Sequence, residues 1–169
     1  STQAFGGTTL DRVEQKKELV GVLMESYPPF SFLNDQNQLD GFDVDVAKAV
    51  AEKLGVKLRL ETPSWDVIAA GRWSGRYDIC ICSMTPSKAR AEVFNFPVEY
   101  YASPAVIVVN AKDDRIHSAK DLSGKKVGLT SASSYESYLN KNLVIEGAED
   151  TQLQYPFEDV QIAPYDTDN

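Results

Sequence analysis

One stretch of this 169-residue chain, residues 82–90, combines the hydroxyl side chains of Ser83 and Thr85 with an arginine. Ser83 and Thr85 follow a predicted strand, and Arg90 comes about one helical turn after Pro86. A guanidinium binds a carboxylate through two parallel hydrogen bonds, and open α/β sheets bind ligands where their strands end. The pattern fits a carboxylate site, although a lone arginine on the surface would explain it as well.

A second stretch, residues 130–134, is made of small residues and includes Ser133 and Ser134. It lies between a predicted strand and a predicted helix, where backbone N–H groups at the positive end of the helix favour an anion. The Gly-Lys signature of a phosphate-binding loop is absent. The alternative is an ordinary serine cap of the helix.

Two aromatic residues, Tyr27 and Trp65, each follow a predicted strand at a loop position. Aromatic residues at such positions either complete a core or form the flat walls of a binding cleft. The chain has one histidine, His117, and no serine or cysteine with a supporting partner for nucleophilic catalysis. We therefore predict neither a catalytic group nor a cofactor.

The two cysteines, Cys80 and Cys82, are two positions apart in a predicted strand. Both would point to one face, and a bridge between them would be badly strained. Cys-x-Cys with a single histidine in the chain is a poor metal or redox motif. We predict two buried, unpaired thiols and no metal site.

Predicted strands and helices alternate along the chain. The clearest helix follows Asp43, because Val46, Val50 and Leu54 share one face and Gly55 suits the position after its end. Further helices are predicted at 64–73, 86–92 and 135–140, with a capping box opening a turn at 118–121; strands are predicted at 19–23, 56–60, 78–82, 105–109, 126–129 and 160–162, with a hairpin near 30–40. This order predicts an α/β fold with largely parallel sheets.

Composition excludes several classes of function. The chain has 17 basic and 25 acidic residues, a formal net charge of −8, and seven of the acids follow Lys141, the last basic residue. An acidic chain without a basic stripe argues against a nucleic-acid partner. No apolar run approaches the roughly 20 residues of a membrane span. There is no signal-peptide core at the N-terminus, so a secreted form would already be mature.

Several of these stretches occur together, in this order, in one known family. Residues 41–46, Gly-Phe-Asp-Val-Asp-Val, resemble the signature of the bacterial extracellular solute-binding proteins of family 3. Tyr-Pro-Pro-Phe at 27–30, Thr85-Pro86 with Arg90, Phe-Asn-Phe-Pro at 94–97 and Asp-Leu-Ser-Gly-Lys-Lys-Val-Gly at 121–128 also match. These are periplasmic amino-acid receptors of ABC transporters. The resemblance covers nearly all of residues 10–140.

The resemblance implies a two-lobed α/β fold of the periplasmic-binding-protein type II class that closes on an amino acid. It places the first lobe at residues 1–101 and the second at 102–169. Arg90 and Thr85 would bind the ligand α-carboxylate together with Ser134 and nearby Ser133. Ser83 would accept from the α-ammonium, and Tyr27 and Trp65 would sandwich the side chain. The ABC-transporter permease would be the protein partner.

This chain departs from the family in four ways. Met24 replaces the acid that binds the distal charge of basic ligands, although Glu25 is adjacent, and Tyr135 replaces a common polar residue. The stretch from Leu143 to Phe157 matches the family poorly. The elements that normally complete both lobes are missing after Asn169, so we expect a C-terminally truncated fragment, or a second chain or segment that completes the fold.

Two other functions compete with an amino-acid receptor. Cyclohexadienyl dehydratases, which act on arogenate or prephenate, resemble the same family. Such an enzyme needs a general acid or base in the cleft, and Glu25 is the local candidate. The third option is the sensor lobe of a membrane receptor, but no apolar span supports it. The receptor is the leading prediction.

Overall fold

The computed structural model describes residues 7–166. The chain divides between Met84 and Thr85 into two compact units, here called the first unit (Ser1–Met84) and the second unit (Thr85–Asn169). This division falls before the lobe boundary predicted after residue 101, which stays a prediction. No helix within the described range is long and apolar enough to cross a membrane.

The first unit is built on a three-stranded parallel sheet. Its strand β1 lies between β5 and β6, with Leu19 opposite Leu58 and Val22 opposite Cys80. A small antiparallel sheet contains the predicted hairpin. The elements are α1 Thr8–Lys16, β1 Glu18–Val22, β2 Ser26–Tyr27, β3 Ser31–Leu33, β4 Leu39–Asp40, α2 Phe42–Leu54, β5 Lys57–Glu61, α3 Trp65–Ala70 and β6 Ile79–Cys80.

Helix α2 confirms the strongest helical pattern in the sequence. It begins after Gly41 and ends at Gly55, whose φ of 66° is the left-handed conformation that glycine adopts readily. Val44, Ala47 and Ala51 on one face are buried. This face packs on the sheet because its apolar residues recur at helical spacing.

Helix α1 was not predicted, since Val13 is its only buried residue. It is held to the sheet by an ion pair instead. Arg12 Nε donates to Asp78 Oδ1 at 3.1 Å, and the backbone N–H of Val20 donates to Asp78 Oδ2 at 2.9 Å. A helix held mainly by one long-range ion pair shows no periodic spacing of apolar residues in its sequence.

The second unit contains a parallel pair of strands with short helices. β7 and β8 pair with Val127 opposite Ile162. Its elements are α4 Lys88–Ala91, a 3₁₀ turn Ala119–Leu122, β7 Lys126–Thr130, α5 Ser134–Leu139 and β8 Gln161–Tyr165. The predicted capping box is confirmed: Asp121 Oδ2 accepts from the backbone N–H of Ser118 at 2.9 Å.

The strand predicted at 105–109 is wrong. These residues have no strand conformation in the structure, and Val106 and Val108 are 76% and 89% exposed. A strand requires a hydrogen-bonded neighbour, and none of the strands of the described chain pairs with this run. Its apolar composition alone therefore does not determine its conformation.

The prediction of unpaired thiols is also wrong, because Cys80 and Cys82 form a disulfide. The prediction assumed one continuous strand over 78–82, in which the two Cα atoms would be about 6.6 Å apart. Strand β6 ends at Cys80, and the Cα atoms lie 5.7 Å apart, which is the separation that disulfides prefer, whereas that of a continuous strand is near the upper limit.

Two helices are shorter than their patterns predicted. Helix α3 ends at Ala70 rather than residue 73, because Gly71 takes a φ of 65° and its N–H closes the last turn onto Ile68. Helix α4 begins at Lys88 rather than at Pro86, because Ser87 caps it. In both cases a single residue with a local preference sets the end of the helix.

Candidate functional site

Arg90 lies in helix α4 of the second unit. Hydrogen bonds hold this helix at its start and connect it to a later stretch of the chain. The hydroxyl of Ser87 accepts from the backbone N–H of Arg90 at 3.3 Å and so caps α4. The N–H of Lys88 donates to Val144, and Pro86 accepts from Glu146, which connects this helix to the stretch after α5. The stretch that matched the family poorly therefore supports the arginine.

The guanidinium of Arg90 is buried, with 9% of the residue exposed. Nη1 donates to the carbonyl oxygen of Thr85 at 2.9 Å, and Nη2 donates to that of Ala132 at 3.0 Å. Burial lowers the pKa of Arg90, but a guanidinium stays charged at neutral pH. The two bonds fix its plane between the two stretches that the sequence singled out.

The serines of residues 130–134 lie in the same part of the second unit. The hydroxyls of Thr85 and Ser134 are 3.1 Å apart. The side chain of Ser133 caps α5 by accepting from the backbone N–H of Glu136 at 3.2 Å. Four predicted carboxylate-binding residues, Thr85, Arg90, Ser133 and Ser134, thus lie on two adjoining segments of one unit.

Glu136 is an acid beside these serines that was not among the predicted site residues. Its Oε2 accepts from the backbone N–H of Ala132 at 2.6 Å, next to the serines. Ala132 has a φ of 57°, an uncommon conformation for a residue other than glycine. The spacing Ser133-x-x-Glu136 is a capping-box signal that could have revealed this contact.

Ser83 lies in the first unit, directly after the buried residues Ile81 and Cys82. Its φ of 46° places it in the left-handed region, where strain is concentrated at functional positions. Its hydroxyl donates to Asp43 Oδ1 at 2.9 Å. Asp43 has no separate signal in the sequence, because an acid in the first turn of a helix is already explained by the helix dipole.

The two predicted aromatic walls also belong to the first unit. Tyr27 is half-buried and stacks on Phe30, with ring centroids 5.0 Å apart. Trp65 begins α3 and packs against the buried cluster of Val22, Ile68 and Cys82. Tyr27 is therefore held by an aromatic neighbour, and Trp65 belongs partly to the core.

Glu25 and Tyr135, the two other residues considered for the site, are both exposed. Glu25 is exposed and accepts from the hydroxyl of Thr62 at 3.1 Å. Tyr135 is 49% exposed on α5. Between residues 7 and 166 no cluster of three or more histidine, cysteine or acidic side chains could hold a metal ion.

Comparison with known proteins identifies the family. The profile of the bacterial extracellular solute-binding proteins, family 3, matches residues 19–161. The chain belongs to this family. The predicted α/β fold class is confirmed, and similar solved structures are two-lobed amino-acid-binding proteins.

Two curated relatives illustrate the similarity. A probable amino-acid ABC transporter-binding protein of Haemophilus influenzae is 37% identical over 149 residues, which cover 88% of this chain and 56% of that protein. The L-cystine-binding protein TcyJ of Escherichia coli K12 is 36% identical over 135 residues, or 79% of this chain and 51% of that protein. The family member described here thus spans about half the length of the curated relatives it matches.

Two solved structures share the fold. An ancestral arginine-binding protein bound to arginine aligns with a TM-score of 0.76 and 33% identity, covering 89% of this chain and 62% of that one. The ancestral amino acid-binding protein AncCDT-1, described as a precursor of cyclohexadienyl dehydratase, aligns with a TM-score of 0.77 and 28% identity, covering 94% and 65%.

Proposed function

We propose that this chain belongs to a receptor that binds an amino acid and delivers it to an ABC importer. The observation that carries the proposal is the buried guanidinium of Arg90, fixed by the carbonyl oxygens of Thr85 and Ala132 beside the hydroxyl of Ser134. A fixed, desolvated cation next to hydroxyl donors suits a carboxylate, which every amino acid carries. Membership of a solute-binding family supports the same conclusion.

In this proposal, the second unit supplies the α-carboxylate subsite. Arg90 provides the charge, and the backbone N–H of Ser134 donates at the start of α5. The hydroxyls of Thr85 and Ser134 bond to each other, so the pair has one remaining proton to donate to the carboxylate. Ser133 keeps the start of α5 in place through its cap. Hydrogen bonds from a charged donor are roughly twice as strong as neutral ones, so Arg90 contributes most of the binding energy at this end of the ligand.

The first unit supplies the other groups. Ser83 accepts from the α-ammonium, and Tyr27 and Trp65 contact the ligand side chain. Their half-buried rings offer flat, partly apolar surfaces that suit the methylene groups of an amino acid. Ligand binding then favours a closed state, as expected for a receptor with contacts on both units.

We propose an ABC-transporter permease as the partner and the periplasm as the location. Curated relatives are binding proteins of amino-acid ABC transporters, and the family is extracellular. The disulfide between Cys80 and Cys82 suits an oxidising compartment. Alkylation of the unfolded chain should label the two cysteines only after reduction.

The enzymatic alternative has less support. Glu25, its one local candidate for acid–base chemistry, is exposed and bonded to Thr62. The structural neighbour connected with cyclohexadienyl dehydratase is itself described as an amino acid-binding protein. We propose binding without turnover, and incubation with arogenate or prephenate tests this directly.

The experiment that tests the receptor function is a thermal-shift panel of the twenty common L-amino acids and L-cystine, followed by calorimetry. We expect at least one of them to raise the Tm and to bind saturably. No binding by any member of the panel, or turnover of arogenate, would overturn the proposal. The same panel on a longer form of the protein tests whether a further segment or chain completes the receptor.

A further inference from the structure

We propose that Asp43 is a positioning residue that turns Ser83 into a selective acceptor for a primary ammonium group. The inference rests on the proposed function, because it concerns how the first unit recognises the α-ammonium of the ligand. It goes beyond that function by assigning a role to a residue outside the ligand-contacting set. The observation behind it is the hydrogen bond from the Ser83 hydroxyl to the fully buried carboxylate of Asp43.

Asp43 is rigidly held. It lies in the first turn of α2, where the helix dipole favours a negative charge, and none of its surface is exposed. Its backbone N–H donates to the carbonyl oxygen of Phe30 at 2.8 Å, and the N–H of Phe42 donates to that of Pro29 at 3.1 Å. The backbone that carries this carboxylate is therefore fixed by the turn that precedes the helix and by the helix itself.

This carboxylate determines the direction of the Ser83 proton. A hydroxyl has one proton to donate and two lone pairs that accept. Because the proton points to Asp43 Oδ1 at 2.9 Å, the lone pairs of the half-buried oxygen remain directed elsewhere. A group that meets this oxygen must donate a hydrogen bond, which an ammonium or a hydroxyl does and a carbonyl or carboxylate cannot. Of the two donors, the ammonium is favoured because it alone carries a positive charge toward the negative charge of Asp43.

The backbone supports the same arrangement. Ser83 has a φ of 46°, and this conformation persists only where the surroundings hold it. On its N-terminal side, Cys82 is buried and disulfide-bonded to Cys80. The hydroxyl of Ser83 is thus fixed by the backbone before it and by Asp43 at its proton. The negative charge of Asp43, transmitted through one hydrogen bond, also strengthens the attraction of the oxygen for a cation.

The test measures selectivity rather than affinity alone. The L-amino acid that gives the largest shift in the panel above is compared with the 2-hydroxy acid that carries the same side chain. We expect Asp43→Asn, which keeps the shape but removes the charge, to lower the preference for the amino acid about tenfold. Asp45→Asn is the matched control, because Asp45 lies exposed on the same first turn of α2. Its preference should change less than about twofold.

A purely structural role for Asp43 would weaken both ligands equally and leave the preference unchanged; that result overturns the inference while the proposed function survives. Ser83→Ala should lower the preference as much as Asp43→Asn, and the double variant should lose no more than either single variant. If Asp43→Asn fails to fold, an unchanged preference in Ser83→Ala overturns the inference. A wild-type chain that binds no amino acid overturns the proposed function, and the inference with it.

Discussion

The replacement of Arg90 by alanine is the perturbation that tests the site most directly. Two hydrogen bonds from the guanidinium, to Thr85 and Ala132, would disappear from a residue that is 9% exposed. A hydrogen bond to a charged group contributes about 1.5 kcal/mol or more, so the adjoining segments lose stability even without ligand. In the proposed site, the ligand carboxylate would in addition be left buried without its cation.

The expected loss of binding follows from this burial. Removing one partner of a buried, hydrogen-bonded charge pair costs about 2 kcal/mol or more. That loss corresponds to a roughly 30-fold or greater increase in Kd. Arg90→Lys keeps the charge but not the planar fork, and we expect a loss of about tenfold.

Calorimetry with the amino acid and with its α-carboxamide separates binding from folding. The wild-type chain should prefer the carboxylate strongly, and Arg90→Ala should lose this preference. Arg115→Ala in the same unit is the control, because the side chain of Arg115 is 70% exposed and pairs only locally with Asp113. If Arg90→Ala binds both ligands as the wild type does, the carboxylate subsite lies elsewhere.

Three further predictions concern the fold. Gly41→Ala should lower the free energy of unfolding by about 3 kcal/mol in urea unfolding, because its φ is 119° and a Cβ would collide with a backbone carbonyl oxygen. Gly55→Ala is the control, since a Cβ there meets open space, and it should cost about 1 kcal/mol. Val108→Asp should change the free energy of unfolding by less than about 0.5 kcal/mol, since the side chain is exposed. Severe destabilisation would instead indicate that residues 105–109 form a buried strand, as their composition predicted. Asp121→Asn should lower the Tm more at pH 7 than near pH 2. Hydrogen bonds, chiefly from the backbone N–H of His117, lower the pKa of Asp121 from 3.8. The stabilisation by this carboxylate is therefore fully present above that pH and disappears as the pH falls through the lower pKa of the folded state. An equal Tm difference at both pH values would contradict this account.

Local patterns in the sequence predicted elements whose determinants lie within a few residues. Helix α2 follows from its apolar period and from Gly55, and the turn at Ala119–Leu122 follows from the capping box of Ser118 and Asp121. The carboxylate-binding candidates could also be named in advance, because a strand end or a helix start in an α/β fold exposes the groups that anions bind. The proximity of these residues in the second unit could not be predicted from the sequence.

Strand pairing, the disulfide and the contacts at the candidate site were decided only by the tertiary structure. The run at 105–109 has the composition of a central strand, but strand formation depends on a neighbour that no local pattern specifies. The pairing of Cys80 with Cys82 depends on where β6 ends, and that end is set by its register against β1. Asp43 and Ser83 are forty positions apart and meet because α2 packs on β1 and β5, in the sheet whose strand β6 leads to Ser83. The sequence by itself thus determined the family, the α/β class and the chemical types at the candidate site. The fold decided which of those groups touch, because hydrogen bonds and burial between remote residues arise only when the chain is packed.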